Sequence, residues 1–134
     1  MHSVPPPPDD TTTPFPFKSR SGWQRIWRAA GYSCAGLRAA VRHEAAFRQE
    51  LAVGVPALVL AWWLAPTPLL ALLLCASVLL VLVVELLNSA LEALADAVSL
   101  QAHPLIGRAK DMGSAAVMLS LIGAVLTWAV VLWP

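Results

Sequence analysis

Three carboxylates and one amide share a single helical face within a long apolar segment. The four side chains are Glu85, Asn88, Glu92 and Asp96, and the stretch 69–84 before them contains no charge. At about 100° and 1.5 Å per residue, these spacings place all four within a stripe of about 80° that is about 16 Å long. A carboxylate at membrane depth costs several kcal/mol, so its presence marks a functional site by default. The pattern predicts metal and proton chemistry at a membrane boundary.

The depth of each acid suggests its chemistry. Glu85 is the deepest charge, and a carboxylate withdrawn from water is a candidate general base; the alternative is a protonated carboxyl that bridges two helices. Glu92 lies two turns nearer the interface, and Glu44, on another helix, is expected at a similar depth. Mg²⁺ commonly takes two such carboxylates together with phosphate oxygens. The alternative is that both are solvated acids paired with the arginines between residues 38 and 48.

Lys110 and Asp111 open the last predicted helix beside Arg108. A cation near a helix start opposes the macrodipole, so local stability does not explain Lys110, whereas a phosphate ligand would. Anchoring of the chain by positive charge at the cytoplasmic face is the alternative. The sequence contains no Walker motif, zinc-ligand spacing or serine nucleophile elbow. An enzyme acting on a lipid head group and a proton- or ion-conducting subunit both fit these residues.

The composition is that of a membrane protein. Hydrophobic residues make up 58% of the chain and charged residues 13%, and the mean hydropathy is +0.68. A length of 134 residues allows one small domain. Residues 1–20 are rich in proline and lack an apolar stretch, which predicts a disordered tail. A single membrane domain is then expected over residues 21–134.

One amphipathic helix and three membrane spans are predicted in this domain. The helix covers about residues 21–42, begins at a capping box at Ser21, and carries Trp23 and Trp27 opposite its arginines. This pattern favours a helix lying in the membrane interface, and an ordinary amphipathic core helix is the alternative. The predicted spans are at about residues 45–64, 69–98 and 108–133, with a loop at 99–107.

The basic residues predict the orientation. Seven of the nine lysines and arginines precede residue 51, and the other two are Arg108 and Lys110. By the positive-inside rule, the N-terminal part and the segment 99–110 lie on the cytoplasmic side. The uncharged turn at 65–68 and the C-terminus lie on the opposite side. The polar stripe therefore runs toward the cytoplasm.

Five segments carry motifs that are highly specific in combination. They read Ala-Ala-Gly-Tyr-Ser at 29–33, Gly-Leu-Arg-Ala-Ala at 36–40, His-Glu-Ala-Ala-Phe-Arg-Gln-Glu at 43–50, Glu-Leu-Leu-Asn-Ser-Ala-Leu-Glu at 85–92 and Gly-Arg-Ala-Lys-Asp-Met-Gly-Ser-Ala-Ala at 107–116. In these motifs the chain resembles the prokaryotic integral-membrane diacylglycerol kinases, over about residues 23–133. The resemblance implies an all-α homotrimer of three-span subunits, each with an N-terminal surface helix, and active sites shared between neighbouring subunits.

The resemblance also implies a reaction in the bacterial cytoplasmic (inner) membrane. ATP, with Mg²⁺ as cofactor, would transfer its γ-phosphoryl group to the free hydroxyl of 1,2-diacylglycerol, yielding phosphatidic acid and ADP. The family's base motif falls on Glu85, with Asn88 as the polar partner beside it and Lys110 offsetting developing negative charge. The metal-binding glutamates of the family fall on Glu44 and Glu92.

The remaining implied contacts are divided between nucleotide and lipid. Nucleotide contacts fall on Arg25, Tyr32, Glu44, Glu92, Gln101, Ala102, His103, Lys110 and Asp111. Lipid contacts fall on Ala29, Ala30, Gly31, Tyr32, Ser33, Cys34, Arg38, Ala39, Ala40, Val41, Ala46, Phe47, Arg48, Gln49, Glu50, Trp63, Leu64, Ala65, Pro66, Glu85 and Ser114. The loop 101–104 departs from the acidic version common in the family.

Two alternative functions stay open beside this interpretation. Some members of the family phosphorylate undecaprenol, although the motifs at 43–50 and 109–116 resemble the diacylglycerol branch. A non-catalytic membrane subunit or ion pathway is the alternative from a different class. The expected partners are ATP, diacylglycerol, membrane lipid and further copies of the chain, and no nucleic acid is expected.

Overall fold

The computed structural model describes residues 22–98, 101 and 103–133. The chain falls into two compact units, residues 1–33 and residues 34–134. The described residues form an all-α structure, as predicted. Its helices are α1 (Gly22–His43), α2 (Ala45–Leu64), α3 (Pro68–Val98) and α4 (Pro104–Leu132). The predicted tail at 1–20 and the capping box at Ser21 lie outside the described residues.

In the first unit, the described part of α1 carries exposed aromatic residues. The rings of Trp23 and Trp27 lie one turn apart and meet edge to face, with centroids 6.1 Å apart. About two thirds of each side chain is exposed. The Ser33 hydroxyl donates to the carbonyl of Ala29 at 3.0 Å, and the helix continues without a break through Gly31. Exposed tryptophans on one helical face suit the membrane interface predicted for this helix.

A single residue, Glu44, separates α1 from α2. Its backbone is extended (φ −100°, ψ 115°), and its side chain makes no capping hydrogen bond. Arg48 donates from its guanidinium to the carbonyls of Val41 and Arg42, both at 3.3 Å. These two carbonyls belong to the last turn of α1, where carbonyls have no partner within the helix. Arg48 therefore stabilises the corner between α1 and α2. The Glu44 carboxylate does not cap either helix and is available for other contacts.

Helices α2 and α3 pack closely through small residues. A Cβ atom built on Gly54 would lie 3.2 Å from Cγ1 of Val78, so the glycine allows the two helices to approach at this point. One turn further, the Cys75 thiol donates to the carbonyl of Leu58 at 3.9 Å. Leu74, beside Cys75, is fully buried. Small residues at such contacts are typical of helices that associate in lipid.

The last helix begins earlier than the sequence predicts. It starts at Pro104, so the prediction of a loop over the whole of 99–107 is wrong. The His103 ring nitrogen Nδ1 accepts a hydrogen bond from the Leu105 N–H at 3.3 Å, and Pro104 at the first helical position has no N–H that would need an acceptor. Lys110 therefore lies beyond the first turn of α4, where the macrodipole is weak. The macrodipole therefore gives no reason to expect a phosphate ligand at Lys110.

Two of the described helices, α3 and α4, are long and apolar enough to cross a membrane. With 31 residues, α3 is about 46 Å long and exceeds a hydrocarbon layer of about 30 Å. Helix α2 coincides with the predicted span at 45–64 but is not among these two. None of the residues of α4 is buried within the chain. The membrane character of the fold thus rests on α3 and α4.

Candidate active site

The polar stripe on α3 passes from buried to exposed positions along the helix. Glu85 is only 4% exposed, and Ser89 one turn later is also buried. Asn88 and Glu92 are half-buried, and Asp96 is exposed. Side-chain burial therefore decreases along the stripe, with Glu85 the most enclosed of its four residues, and the membrane depth of each residue stays a prediction.

Asn88 is bonded to Glu92 rather than to the predicted base. Its side-chain Nδ2 donates to Oε1 of Glu92 at 3.2 Å, one helical turn further along α3. The Asn88 Oδ1 atom is buried, has no hydrogen-bond partner, and faces Gly113 on α4. The resemblance implied that Asn88 would be the polar partner beside Glu85. The structure adds a contact that the resemblance did not imply, because the Asn88 amide holds one oxygen of Glu92 in place.

Four acids from two helices and the corner between α1 and α2 influence one another, and we call them the carboxylate cluster: Glu44, Glu50, Glu85 and Glu92. Glu85 interacts electrostatically with Glu92 and Glu44, and Glu50 interacts with Glu85. Like charges in a poorly solvated region repel, so a bound cation would relieve the repulsion within the cluster. From the sequence, Glu50 was expected only as a lipid contact. Its interaction with Glu85 depends on the packing of α2 against α3. The one sequence feature that could have indicated a role for Glu50 in the site was its charge near the start of an apolar helix.

The cluster does not form a closed metal site by itself. Among the described residues, no group of three or more His, Cys, Asp or Glu side chains is arranged to hold a metal ion. Mg²⁺, however, is usually bound through one or two carboxylates together with phosphate oxygens and water. Glu44, which is not used as a cap, and Glu92, which is oriented by Asn88, are carboxylates of this kind, and both interact electrostatically with Glu85. The donor set fits Mg²⁺ that arrives with a phosphate ligand.

Lys110 on α4 lies at the exposed end of the stripe. Its Nζ donates to Oδ1 of Asp96 at 2.5 Å, and it also interacts electrostatically with Glu92. The two paired side chains are 36% and 57% exposed, for Lys110 and Asp96 respectively. An exposed ion pair is screened by solvent and contributes little, so Lys110 can exchange Asp96 for a phosphate at little cost. This contact gives Asp96, whose role the sequence left open, a defined partner.

An apolar crevice of about 540 Å³ lies between α2, α3 and α4. Glu50 on α2 and Trp128 on α4 both contribute to its lining. Its walls are almost entirely hydrocarbon, as is typical of sites that bind apolar ligands. Trp128 was not among the predicted lipid contacts, because its sequence position indicates only a membrane-interface aromatic. The other lining residues are Gln49, Val53, Gly54, Ala57, Val78, Val81, Leu82, Leu121, Ala124 and Val125.

The predicted nucleotide contacts are spread over both units. Arg25 and Tyr32 belong to the first unit and are exposed on α1. Three other contacts lie further along the chain: Gln101 is exposed, His103 caps α4, and Asp111 is exposed on α4. The predicted contact at Ala102 lies outside the described residues.

The predicted lipid contacts differ widely in exposure. Residues 29–33 are exposed on α1 in the first unit, and Ser114 is exposed on α4. Ala40 and Phe47 are only 5% and 3% exposed, so their side chains are enclosed by the protein. Residues 63–66 lie at the far end of α2, about 25 Å from Glu85 along α3. The structure therefore does not bring the 63–66 segment together with the candidate base.

The fold and the site define an all-helical membrane protein with a cluster of acids leading from a buried helix face to an exposed lysine. A sequence model of the prokaryotic diacylglycerol kinase family matches residues 31–132. The chain is 53% identical to the diacylglycerol kinase of Escherichia coli strain K12 over 113 residues, which cover 84% of this chain and 93% of that protein. It is 49% identical to the diacylglycerol kinase of Pseudomonas aeruginosa over 120 residues (90% and 98%), and 37% identical to that of Haemophilus influenzae over 113 residues (84% and 96%). The chain belongs to the prokaryotic diacylglycerol kinase family.

Proposed function

We propose that this protein is an ATP-dependent lipid kinase that converts 1,2-diacylglycerol to phosphatidic acid. The observation that carries the proposal is the burial of Glu85 in an apolar helix, with Glu92 and Lys110 toward the exposed end of the same site. Diacylglycerol has no charged head group, so its hydroxyl stays near the hydrocarbon boundary. A base that acts on this hydroxyl has to be at membrane depth, and the burial of Glu85 within the apolar α3 supports that position for it. The names of the E. coli and P. aeruginosa relatives support the same substrate.

In the proposed reaction, Glu85 takes the proton of the lipid hydroxyl while the oxygen of that hydroxyl attacks the γ-phosphorus of ATP. The bond from that phosphorus to the leaving oxygen of ADP breaks on the opposite side. Phosphoryl transfer demands little covalent chemistry from a protein and depends on alignment and charge neutralisation. Glu92 follows Glu85 by seven positions, or about 10 Å along α3, which leaves room for the transferred group. Lys110 neutralises the charge that develops on this group.

Glu44 and Glu92 are the proposed ligands of Mg²⁺. When bound between these two carboxylates, the ion would supply positive charge that neutralises the phosphates of the nucleotide. The hydrogen bond from Asn88 orients the Glu92 carboxylate, and the extended backbone at Glu44 presents the second carboxylate from the corner between α1 and α2. The other nucleotide and lipid contacts named from the resemblance remain predictions.

We further propose that each subunit crosses the cytoplasmic membrane three times and associates as a homotrimer with shared active sites. Helix α2 packs along α3 and is joined to it by a turn of three residues, 65–67, so it runs beside a helix that is long enough to cross. Its 20 residues reach about 30 Å, the thickness of the hydrocarbon layer. The apolar α4 buries none of its own residues, which suits coverage by lipid and neighbouring copies. Intersubunit crosslinking in native membranes tests this assembly.

The proposed activity is tested with purified protein in mixed micelles. Labelled ATP and Mg²⁺ are supplied with either diacylglycerol or undecaprenol, and labelled phosphatidic acid is expected. Label in undecaprenol alone would overturn the substrate assignment in favour of the other branch of the family. Label in neither lipid would overturn the kinase function and favour a non-catalytic subunit. Omission of Mg²⁺ is expected to abolish product formation.

A further inference from the structure

Gly113 on α4 occupies a position where the structure has no room for a side chain. A Cβ atom built there would overlap Oδ1 of Asn88, and would lie 3.4 Å from Cγ of Asn88 and 3.9 Å from Cδ2 of Leu91. Gly107 and Gly123 on the same helix have no atom within 4 Å of such a Cβ. None of the described glycines has a positive φ, so the backbone itself does not require glycine at 113. The requirement at Gly113 is for space.

The space beside Gly113 is filled by one end of the Asn88 amide. The Oδ1 end is buried against Gly113 without a hydrogen-bond partner, while the Nδ2 end donates to Glu92 at 3.2 Å. An amide is planar, so the position of its oxygen determines where its NH₂ group points. The absence of a side chain at Gly113 on α4 therefore affects the orientation of Glu92 on α3, because Asn88 contacts both residues.

We infer that Gly113 is a positioning residue for the nucleotide site: its lack of a Cβ allows Asn88 to orient Glu92 for Mg²⁺. The inference rests on the proposed function only in the role that it gives Glu92. The atom that an added Cβ would meet is the end of a flexible side chain, so Asn88 can rotate away without displacement of either helix. Alanine at position 113 therefore preserves the helix pair and removes the donor from Glu92.

Gly113→Ala is compared with the matched replacements Gly107→Ala and Gly123→Ala. The first readout does not depend on turnover: binding of Mn²⁺ with a non-hydrolysable ATP analogue, followed by electron paramagnetic resonance. The second readout is the Mg²⁺ concentration that gives half-maximal kinase activity. Groups that orient a metal ligand typically change metal affinity by about 10- to 100-fold. We expect a rise of about 10-fold in both the Mn²⁺ dissociation constant and the half-maximal Mg²⁺ concentration for Gly113→Ala, with both controls within about twofold of the unmodified protein.

A double-mutant cycle with Asn88→Ala tests whether the effect passes through Asn88. In the Asn88→Ala background, Gly113→Ala is expected to have no further effect, because the overlapping atom and the donor are both gone. If Gly113→Ala alone lowers the folded yield, the double variant is expected to restore it. A double variant that stays misfolded, or effects on metal binding that add independently, would overturn the inference.

The inference and the proposed function fail in different ways. An unmodified protein that phosphorylates diacylglycerol, together with a Gly113→Ala variant that binds Mn²⁺ as the Gly123→Ala control does, would overturn the inference alone. An unmodified protein that forms no phosphorylated lipid would overturn the proposed function. In that case, weakened Mn²⁺ binding in Gly113→Ala would still support the contact between Gly113, Asn88 and Glu92.

Discussion

Replacement of Glu85 by glutamine is expected to separate activity from stability. Glutamine keeps the shape of the side chain and removes its charge. Because Glu85 is the proposed base, turnover should fall by about 10²–10⁴-fold, which corresponds to about 2.7–5.4 kcal/mol on the reaction barrier. The free energy of unfolding should stay the same or rise, because a buried and mutually repelling carboxylate is lost.

The electrostatic part of this gain follows from the spacing along α3. Glu92 lies about 10 Å from Glu85 along the helix, and two unit charges at that distance repel by about 0.4 kcal/mol at a dielectric constant of about 80 and about 1.7 kcal/mol at about 20. Glu44 adds a second repulsion of the same sign. A gain of up to about 2 kcal/mol in the free energy of unfolding is therefore consistent with the structure.

Two assays measure the two effects. Production of labelled phosphatidic acid at saturating ATP and diacylglycerol gives the turnover, and unfolding by sodium dodecyl sulfate in mixed micelles, followed by tryptophan fluorescence, gives the stability. Asp96→Asn is the matched control, because it removes an exposed acid from the same stripe. Near-normal turnover in Glu85→Gln would remove Glu85 from the role of base. Destabilisation by more than about 1 kcal/mol would favour the alternative in which a protonated Glu85 bridges two helices.

Three further predictions concern the exposed ion pair, the helix contact and the metal. Asp96→Asn frees Lys110 from a weak, solvent-exposed ion pair, so the KM for ATP should fall by up to about fivefold. A raised KM would show instead that Asp96 aligns Lys110. Gly54→Val places methyl groups against Val78, whose Cγ1 lies only 3.2 Å from where a Cβ at position 54 would be. It should reduce the unfolding free energy by about 1–3 kcal/mol in the same detergent titration, whereas unchanged stability would contradict the close α2–α3 contact. Glu92→Gln should raise the half-saturating Mg²⁺ concentration by at least about 10-fold in the kinase assay. An unchanged Mg²⁺ dependence would exclude Glu92 as a ligand of the metal ion.

The positions of the helices were largely predictable, because apolar run length and proline placement are local signals. The α2 segment coincides with the predicted 45–64, and α3 begins one residue before the predicted 69. At the start of α3, the Thr67 hydroxyl oxygen accepts from the Leu70 N–H at 3.3 Å. The start of α4 was missed because Pro104 was expected in a loop, whereas His103 caps the helix and Pro104 is its first residue.

The partners of the site residues were much less predictable. The stripe from Glu85 to Asp96 and its order of depth followed from spacing on one helix. The pairing of Asp96 with Lys110 joins residues on two helices. The approach of Glu50 to Glu85 likewise depends on how α2 packs against α3. Helical periodicity within one segment carries no information about which face of a neighbouring helix lies opposite.

The sequence by itself determined the membrane character, the family, and the polar stripe on one helix, because these depend on composition, motifs and a fixed helical rise. Only the tertiary structure decided which residues each side chain of the polar stripe contacts. The Asn88 amide donates a hydrogen bond to Glu92, and its oxygen packs against Gly113. This contact exists because α3 and α4 approach so closely there that position 113 has no space for a side chain. Such a contact depends on the distance and rotation between two helices, and these are determined by the packing of the whole subunit.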